Sequence, residues 1–145
     1  MRASVPRYLL VLLALGCTPG DAFAPGDVAG LYSASTFNLV HGADTTDVLA
    51  AGGRLIITLT PSGETSGQLT VPASLNGGTE FVADMAGTFA ISGNTVHFVQ
   101  SEDTFVRDLT FAIGGDGPVV SLTGSATFSD TTINVVLTRG GVLVP

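Results

Sequence analysis

Apolar and polar residues alternate over short segments of this chain, and turn-favouring residues separate the segments every 8 to 12 positions or so. Alternation with a period of two is typical of β-strands with one buried face, and no long segment has a helical period. The pattern predicts eight strands, at about residues 30–39, 53–60, 65–72, 80–91, 95–100, 105–113, 118–128 and 131–139. The class expected is therefore all-β.

Short connections decide how these strands pair. Pro61-Ser62-Gly63, Ser92-Gly93-Asn94 and Ser129-Asp130 each join two predicted strands. Such connections force antiparallel neighbours, because a parallel pair needs a crossover of about a dozen residues or more. We expect a single antiparallel up-and-down barrel of about eight strands. The alternative is a two-sheet β-sandwich, which would lack hydrogen bonds between the first and last strands.

The longest connection runs from Val40 to Gly52, between the first two predicted strands. Asp44 and Asp47 lie three positions apart in it, apolar residues follow, and two glycines end the segment. This order predicts a capped helical turn. In an up-and-down barrel such a segment would lie across one mouth.

The 145 residues of the chain fit one domain.

The charge of the chain excludes one class of partner. The five cationic residues are all Arg and stand against 12 Asp plus Glu, for a formal net charge of -7. Because phosphate binding depends on cations, nucleic acid is not an expected partner. The domain also gains no attraction to an anionic membrane surface, so membrane contact must have another source.

The N-terminus has the parts of a secretory signal. Residues 1–16 hold a short basic segment, an apolar stretch over 9–15 and a small residue at the boundary. The sequence Ala14-Leu15-Gly16-Cys17 resembles the lipobox of bacterial lipoproteins. That resemblance implies cleavage between Gly16 and Cys17, a diacylglyceryl group on the Cys17 thiol and an acyl chain, such as palmitate, on the new N-terminus.

Two other interpretations of this segment remain open. Ordinary signal-peptidase cleavage could follow Ala22-Phe23-Ala24, although Pro25 would then come directly after the cut. Alternatively, Cys17 could be a buried structural residue. Several acyl chains together anchor a protein stably, whereas one holds it only marginally. We expect a lipid-anchored protein of the cell envelope, whose partner through the anchor is the membrane.

The predicted organisation has three parts. Residues 1–16 are a lipoprotein signal peptide, 17–29 a tether rich in Pro and Gly, and 30–145 a β-barrel domain. In proteobacterial lipoproteins an Asp after the lipidated Cys favours retention in the inner membrane. Thr18 stands there in this chain, so we expect the outer membrane.

The barrel domain resembles the lipocalin-like (calycin) proteins. Gly30-Leu31-Tyr32 opens the first strand where that family has G-x-W, a long first loop follows, short hairpins repeat, and Arg139 ends the last strand. The resemblance implies a lipocalin-like barrel in which Arg139 packs over Tyr32. Such a cation–π contact contributes about 0.5–2 kcal/mol.

Motifs for catalysis and metal binding are missing from the sequence. His41 and His97 are its two imidazoles, and nothing in their spacing brings them together with a carboxylate. The chain has no G-x-S-x-G, no H-E-x-x-H and, without Lys, no P-loop. We expect no enzyme, no metal site and no cofactor.

Arg107 is the polar residue that breaks the local pattern, since it lies between Phe105 and Leu109 on a predicted apolar face. One interpretation is a strand-end side chain that reaches solvent or pairs with Asp84 or Asp108. The other is an anchor for the carboxylate of a lipid-like ligand. The candidate ligand-pocket residues are Tyr32, Phe37, Arg107, Phe111 and Arg139.

The sequence thus supports two functions. One is a lipocalin-like envelope lipoprotein that binds a small apolar ligand inside the barrel, which needs a cavity of roughly 300 Å³ or more. The other is a structural or protein-interaction lipoprotein with a filled barrel and no ligand.

Overall fold

The computed structural model describes residues 23–115 and 120–140, and these form an all-β fold. The elements in chain order are α1 (Pro25–Val28), β1 (Gly30–His41), β2 (Asp44–Asp47), β3 (Arg54–Leu59), β4 (Glu64–Val71), a 3₁₀ helix (Ala73–Leu75), β5 (Phe81–Asp84), β6 (Gly87–Ser92), β7 (Thr95–Gln100), α2 (Phe105–Asp108), β8 (Thr110–Gly114), β9 (Ser121–Phe128) and β10 (Thr131–Arg139). Within those two ranges, no helix is long and apolar enough to cross a membrane. The predicted signal peptide, its cleavage site after Gly16, and Cys17 lie outside the described residues.

The sheet closes on itself. Its strands follow the order β10-β9-β8-β7-β6-β4-β3-β1, and β10 pairs again with β1. This closing ladder is antiparallel and runs from Tyr32 opposite Arg139 to His41 opposite Thr131. A sandwich lacks such a ladder between the first and last strands, so the prediction of an up-and-down barrel is confirmed. A closed eight-stranded barrel is compatible with a lipocalin-like fold.

The ten strands fill eight positions around the barrel, because two of these positions each hold two short strands separated by a break. β2 and β3 both pair with β1 and are separated by the turn over residues 48–53. β5 and β6 both pair with β4, and the two residues between them, Met85 and Ala86, break the strand predicted over 80–91. Across this break the Met85 N–H still donates to the Gly67 carbonyl oxygen at 3.1 Å.

We call the end of the barrel where β1 begins the lower end, and the end where β1 finishes, at His41, the upper end. Because neighbouring strands alternate in direction, the connections divide between the two ends. The lower end carries α1 and the hairpins over residues 60–63 and 93–94. The upper end carries the turn over 48–53, the segment over 72–80 and the β7–β8 connection over 101–109.

The long first connection contains both an expected and an unexpected element. The Asp47 carboxylate accepts a hydrogen bond from the Ala50 N–H at 3.1 Å, and the Ala51 N–H donates to the Asp47 carbonyl at 3.2 Å. The predicted capped turn is therefore present, with Asp47 as its cap. Asp44 lies in β2, a strand that the sequence did not predict, opposite His41.

The strand predicted over 105–113 is wrong in its first half. Phe105–Asp108 form the helical turn α2, and β8 begins only at Thr110. β7 and β8 are neighbours in the sheet, and the connection between them contains this helical turn, which reaches across the upper end to Phe37 of β1. Arg107 consequently lies on a helical turn and not on a strand face.

A single apolar core fills the lower and middle parts of the barrel. Alternate residues of every strand except β2 face inward and contribute to one buried cluster. Its largest side chains are Tyr32, Phe37, Phe98, Phe111, Leu55, Ile57, Leu59, Leu69, Met85, Leu109, Leu122 and Leu137. Gly87 shares this inward face, where a Cβ would lie 2.2 Å from the Val99 carbonyl oxygen. The small residue therefore permits close strand approach at this point.

Candidate functional site

The lower end of the barrel is sealed by α1. Tyr32 faces inward on β1, is fully buried, and donates a hydrogen bond from its hydroxyl to the Val28 carbonyl oxygen at 2.7 Å. Arg139 lies opposite Tyr32 in the ladder between β1 and β10. Its Nη1 donates hydrogen bonds to the carbonyl oxygens of Asp27 and Ala29 at 3.1 and 3.2 Å. These contacts hold residues 27–29, the last of the predicted tether, against the barrel.

Tyr32 and Arg139 are thus brought together, as the lipocalin resemblance implies. Burial raises the pKa of the Tyr32 phenol above its usual 10.0, while the charge of Arg139 and its hydrogen bond to the phenol lower it and offset part of that rise. The contact between cation and phenol is polar, and its structural role is to close the lower end.

We expect the barrel to lose stability as the pH rises above about 10, where tyrosine ionises in the unfolded chain. The folded chain has the higher Tyr32 pKa, so above pH 10 it binds more protons than the unfolded chain, and its free energy of unfolding falls. The chain contains no Lys. Melting temperatures between pH 8 and 11.5 measure the loss, and Tyr32→Phe should remove most of it. An equally steep alkaline loss in Tyr32→Phe would contradict this assignment.

The upper end is open by contrast. Inward-facing residues become more exposed as five strands approach this end, and Phe105 of α2 is likewise only partly buried. On β5, Ala83 is 3% exposed, whereas Phe81, two residues nearer the upper end, is 39% exposed. On β9 the inward face ends in Phe128, which is 37% exposed. We call these residues the upper cup: Leu39, Val71, Phe81, Phe105, Ala126, Phe128 and Ile133.

Aromatic contacts form the floor of the upper cup. Phe105 lies with its ring centroid 5.3 Å from that of Phe37, which projects from β1 on the far side of the barrel from β7. Below it, Phe98 and Phe111 meet edge to face at 5.2 Å. Phe37, Phe98 and Phe111 are essentially without solvent exposure.

A small polar group interrupts this apolar floor. Gln100, the last residue of β7, faces inward and is 5% exposed. Its Nε2 donates to the Met85 carbonyl oxygen at 3.1 Å, and the buried Thr65 hydroxyl donates to the same oxygen at 2.8 Å. Thr104, at the start of α2, is 6% exposed. Gln100 Oε1 and Thr104 Oγ1 have no hydrogen-bond partner among the described residues.

The five sequence-predicted pocket residues do not form one site. Phe37 and Phe111 lie in one row of paired residues through Val135 and Gly124, but both are buried in the floor. Tyr32 and Arg139 belong to the seal at the lower end. Arg107 is in neither place.

Arg107 forms ion pairs at the outer surface of α2. Its side chain is 38% exposed; Nη2 contacts the Asp103 carboxylate, and Nε lies 3.6 Å from Oδ1 of Asp108. Of the partners considered from the sequence, Asp108 is present and Asp84 is not among the ion pairs of Arg107. A guanidinium already paired with two carboxylates is poorly suited to anchor the carboxylate of a ligand.

Neither histidine contributes to the upper cup. His41 ends β1 with Nδ1 3.5 Å from the Asp130 carboxylate, and both side chains are largely exposed. His97 faces outward on β7. In the described part of the chain, no group of three His, Cys, Asp or Glu side chains could hold a metal ion.

Comparisons with protein-family models, with curated proteins and with solved structures found no match to this chain. Acidic side chains dominate the connections and strand ends around the upper cup: Asp44, Asp47, Glu80, Glu102, Asp103, Asp108 and Asp130.

The sequence did not predict the exposed apolar residues Phe81 and Phe128, or the buried polar residues Gln100 and Thr104. Phe81 and Phe128 each stand at one end of a predicted strand, where alternation specifies the face but not the exposure. Gln100 carries a usable signal, because it follows Val96 and Phe98 at alternate positions and so must face inward.

Proposed function

We propose that this chain is a lipid-anchored protein of the bacterial cell envelope that binds a small apolar molecule in the upper cup. The observation that carries the binding site is the difference between the two ends of the barrel. At the lower end inward-facing residues such as Tyr32 and Leu59 are buried and Ile91 is partly buried, whereas at the upper end Phe81 and Phe128 are more than one-third exposed. Apolar side chains that converge in a concave, partly open site are what a small ligand needs.

The position of the proposed anchor supports this arrangement. Cys17 and Pro25, where α1 begins against the lower end, are eight positions apart. An extended chain of that length spans at most about 29 Å. A membrane anchor at Cys17 therefore keeps the lower end, and not the upper cup, as the part of the barrel tethered to the bilayer.

Substitution of the exposed aromatic residues tests the binding site. We expect Phe81→Asp and Phe128→Asp each to weaken binding of a neutral apolar fluorophore, N-phenyl-1-naphthylamine, about tenfold or more, because a carboxylate replaces apolar contact area. Val82→Asp is the matched control, since Val82 is the neighbour of Phe81, is 50% exposed and faces outward. Fluorescence titration of the full-length chain in a mild detergent measures the effect relative to this control.

The filled lower barrel favours a second candidate function. Phe37 and Phe111, which the sequence suggested as pocket residues, are buried among other core side chains. A barrel that used only its outer surface for protein interactions would show equal probe binding in all three variants, and no molecule would co-purify in native mass spectrometry. That result would replace the ligand-binding proposal with the structural or interaction role.

A further inference from the structure

We propose that the floor of the upper cup binds the hydroxyl of a neutral, largely apolar alcohol, which donates to Gln100 Oε1 and accepts from the Thr104 hydroxyl. This inference rests on the proposed function and specifies its ligand class. It starts from two polar atoms, on residues four positions apart, that are enclosed and lack partners in the described structure, so binding requires side chains above them to move aside. Buried atoms of this kind are rare because leaving them unsatisfied destabilises a fold.

The orientation of the Gln100 amide is set by its neighbour. Its Nε2 donates to the Met85 carbonyl oxygen, which also accepts from the Thr65 hydroxyl. Rotating the amide by half a turn would place Oε1 against that carbonyl, and two acceptors would then face each other. Oε1 therefore points away from Met85 and calls for a donor.

The Thr104 hydroxyl is also available. Thr104 precedes the first residue of α2, a position at which a threonine side chain commonly accepts a hydrogen bond from the helix. Here the side chain makes no such bond, although the Thr104 carbonyl accepts from the Arg107 N–H at 3.1 Å. The hydroxyl is thus buried without the contact that would explain its burial.

The chemistry of these two groups selects the ligand. An alcohol donates one hydrogen bond and accepts others, so it satisfies both an amide oxygen and a threonine hydroxyl. A ketone or an ether has no proton for Gln100 Oε1. A carboxylate or an ammonium would bring an unpaired charge to a floor whose polar groups, Thr65, Gln100 and Thr104, are all neutral. The acidic surroundings of the upper cup further disfavour anions.

Side-chain amide resonances give a local readout in the full-length chain. The sequence has two glutamines, Gln100 in the floor and Gln68 on the outward, exposed face of β4. In a mild detergent at pH 7, we expect cyclohexanol to shift the ¹H–¹⁵N signals of the Gln100 amide and to leave those of Gln68 unchanged. Methylcyclohexane, cyclohexylamine and cyclohexanecarboxylate are the comparison probes.

Substitutions then separate this inference from the proposed function. Gln100→Met and Thr104→Val should each weaken cyclohexanol binding about tenfold while methylcyclohexane binding stays the same. Gln68→Met and Thr123→Val, at exposed outward positions, are the matched controls. Gln100→Met should melt no lower than the wild type, since it removes an unsatisfied buried acceptor and the Met85 carbonyl keeps its bond to Thr65.

Two results would overturn the inference with different consequences. If the hydrocarbon, the amine or the carboxylate bound as well as the alcohol, or if Gln100→Met and Thr104→Val left alcohol binding unchanged, the ligand class would be wrong and the upper cup would remain a binding site. If none of the four probes bound, the proposed function would fail together with the inference.

Discussion

Gly67→Ala is expected to lower the melting temperature by at least about 10 °C, because two separate costs fall on the same residue. Gly67 lies on β4 with φ at +142°, a conformation that residues with a Cβ rarely adopt. A Cβ there would lie 2.1 Å from the Ile56 carbonyl oxygen and 2.9 Å from the Ile57 Cα. Both obstructing atoms belong to the β3 backbone, so no side-chain rotation can relieve the contact. Together the costs amount to roughly 2–6 kcal/mol, against a total stability of about 5–15 kcal/mol.

A second glycine separates the two costs. Gly78 has a positive φ of 91°, but a Cβ there would meet nothing within 4 Å. Thermal unfolding of Gly78→Ala therefore reports the conformational cost alone, and it should melt well above Gly67→Ala. Equal melting temperatures for the two variants would mean that the close approach of β3 and β4 adds nothing to the cost of a Cβ at Gly67.

The pairing of the strands could be predicted only in part from the sequence. Hairpin residues such as Ser92-Gly93-Asn94 predicted antiparallel neighbours, and the number of strands then favoured a closed barrel. The interruption after Asp84 could not be predicted in this way, because it depends on β4 exchanging β6 for β5 as its partner near Gly67. Partner exchange is a property of the closed sheet and has no short sequence signature.

The error at Phe105–Asp108 has a specific cause. Phe105, Arg107 and Leu109 alternate with polar or smaller positions as a strand would, so the period alone favoured β-structure. Asp103 and Arg107 are four positions apart, the spacing of an ion pair on a helical turn, and the structure pairs them. Tertiary structure decides between the two patterns, since the helical turn places Phe105 against Phe37 on the opposite side of the barrel.

The upper cup could not be predicted from the sequence, for a similar reason. Alternation assigns Phe81 and Ala83 to one face of a strand, but whether that face is covered depends on the connections at each end. α1 covers the lower end through Val28, which the sequence placed in a tether. Buried hydrogen bonding also cannot be assigned from alternation: the inward position of Gln100 was predictable, whereas its unpartnered Oε1 was not.

Cys17→Ser is expected to abolish lipid attachment completely, the largest effect that any single substitution in this chain should have on its location. The wild type should incorporate labelled palmitate and yield a mature chain that begins at Cys17, with the added mass of a diacylglyceryl group and one acyl chain. Each buried CH₂ contributes about 0.8 kcal/mol to membrane affinity, so several chains together hold the protein stably. With a net charge of -7 and no Lys, the chain has no basic surface to replace that affinity.

Labelling and intact mass are the appropriate measurements, because an uncleaved signal peptide could keep the Cys17→Ser chain in a membrane fraction without any lipid. Ala24→Leu distinguishes the alternative cleavage after Ala22-Phe23-Ala24, which needs a small residue at that position. Under the lipoprotein interpretation Ala24→Leu is processed and labelled like the wild type; under the alternative, its processing stops. Palmitate label on Cys17→Ser, or none on the wild type, would remove the anchor from the proposed function. The upper cup would remain to be tested separately, because its residues and their burial do not depend on the lipid.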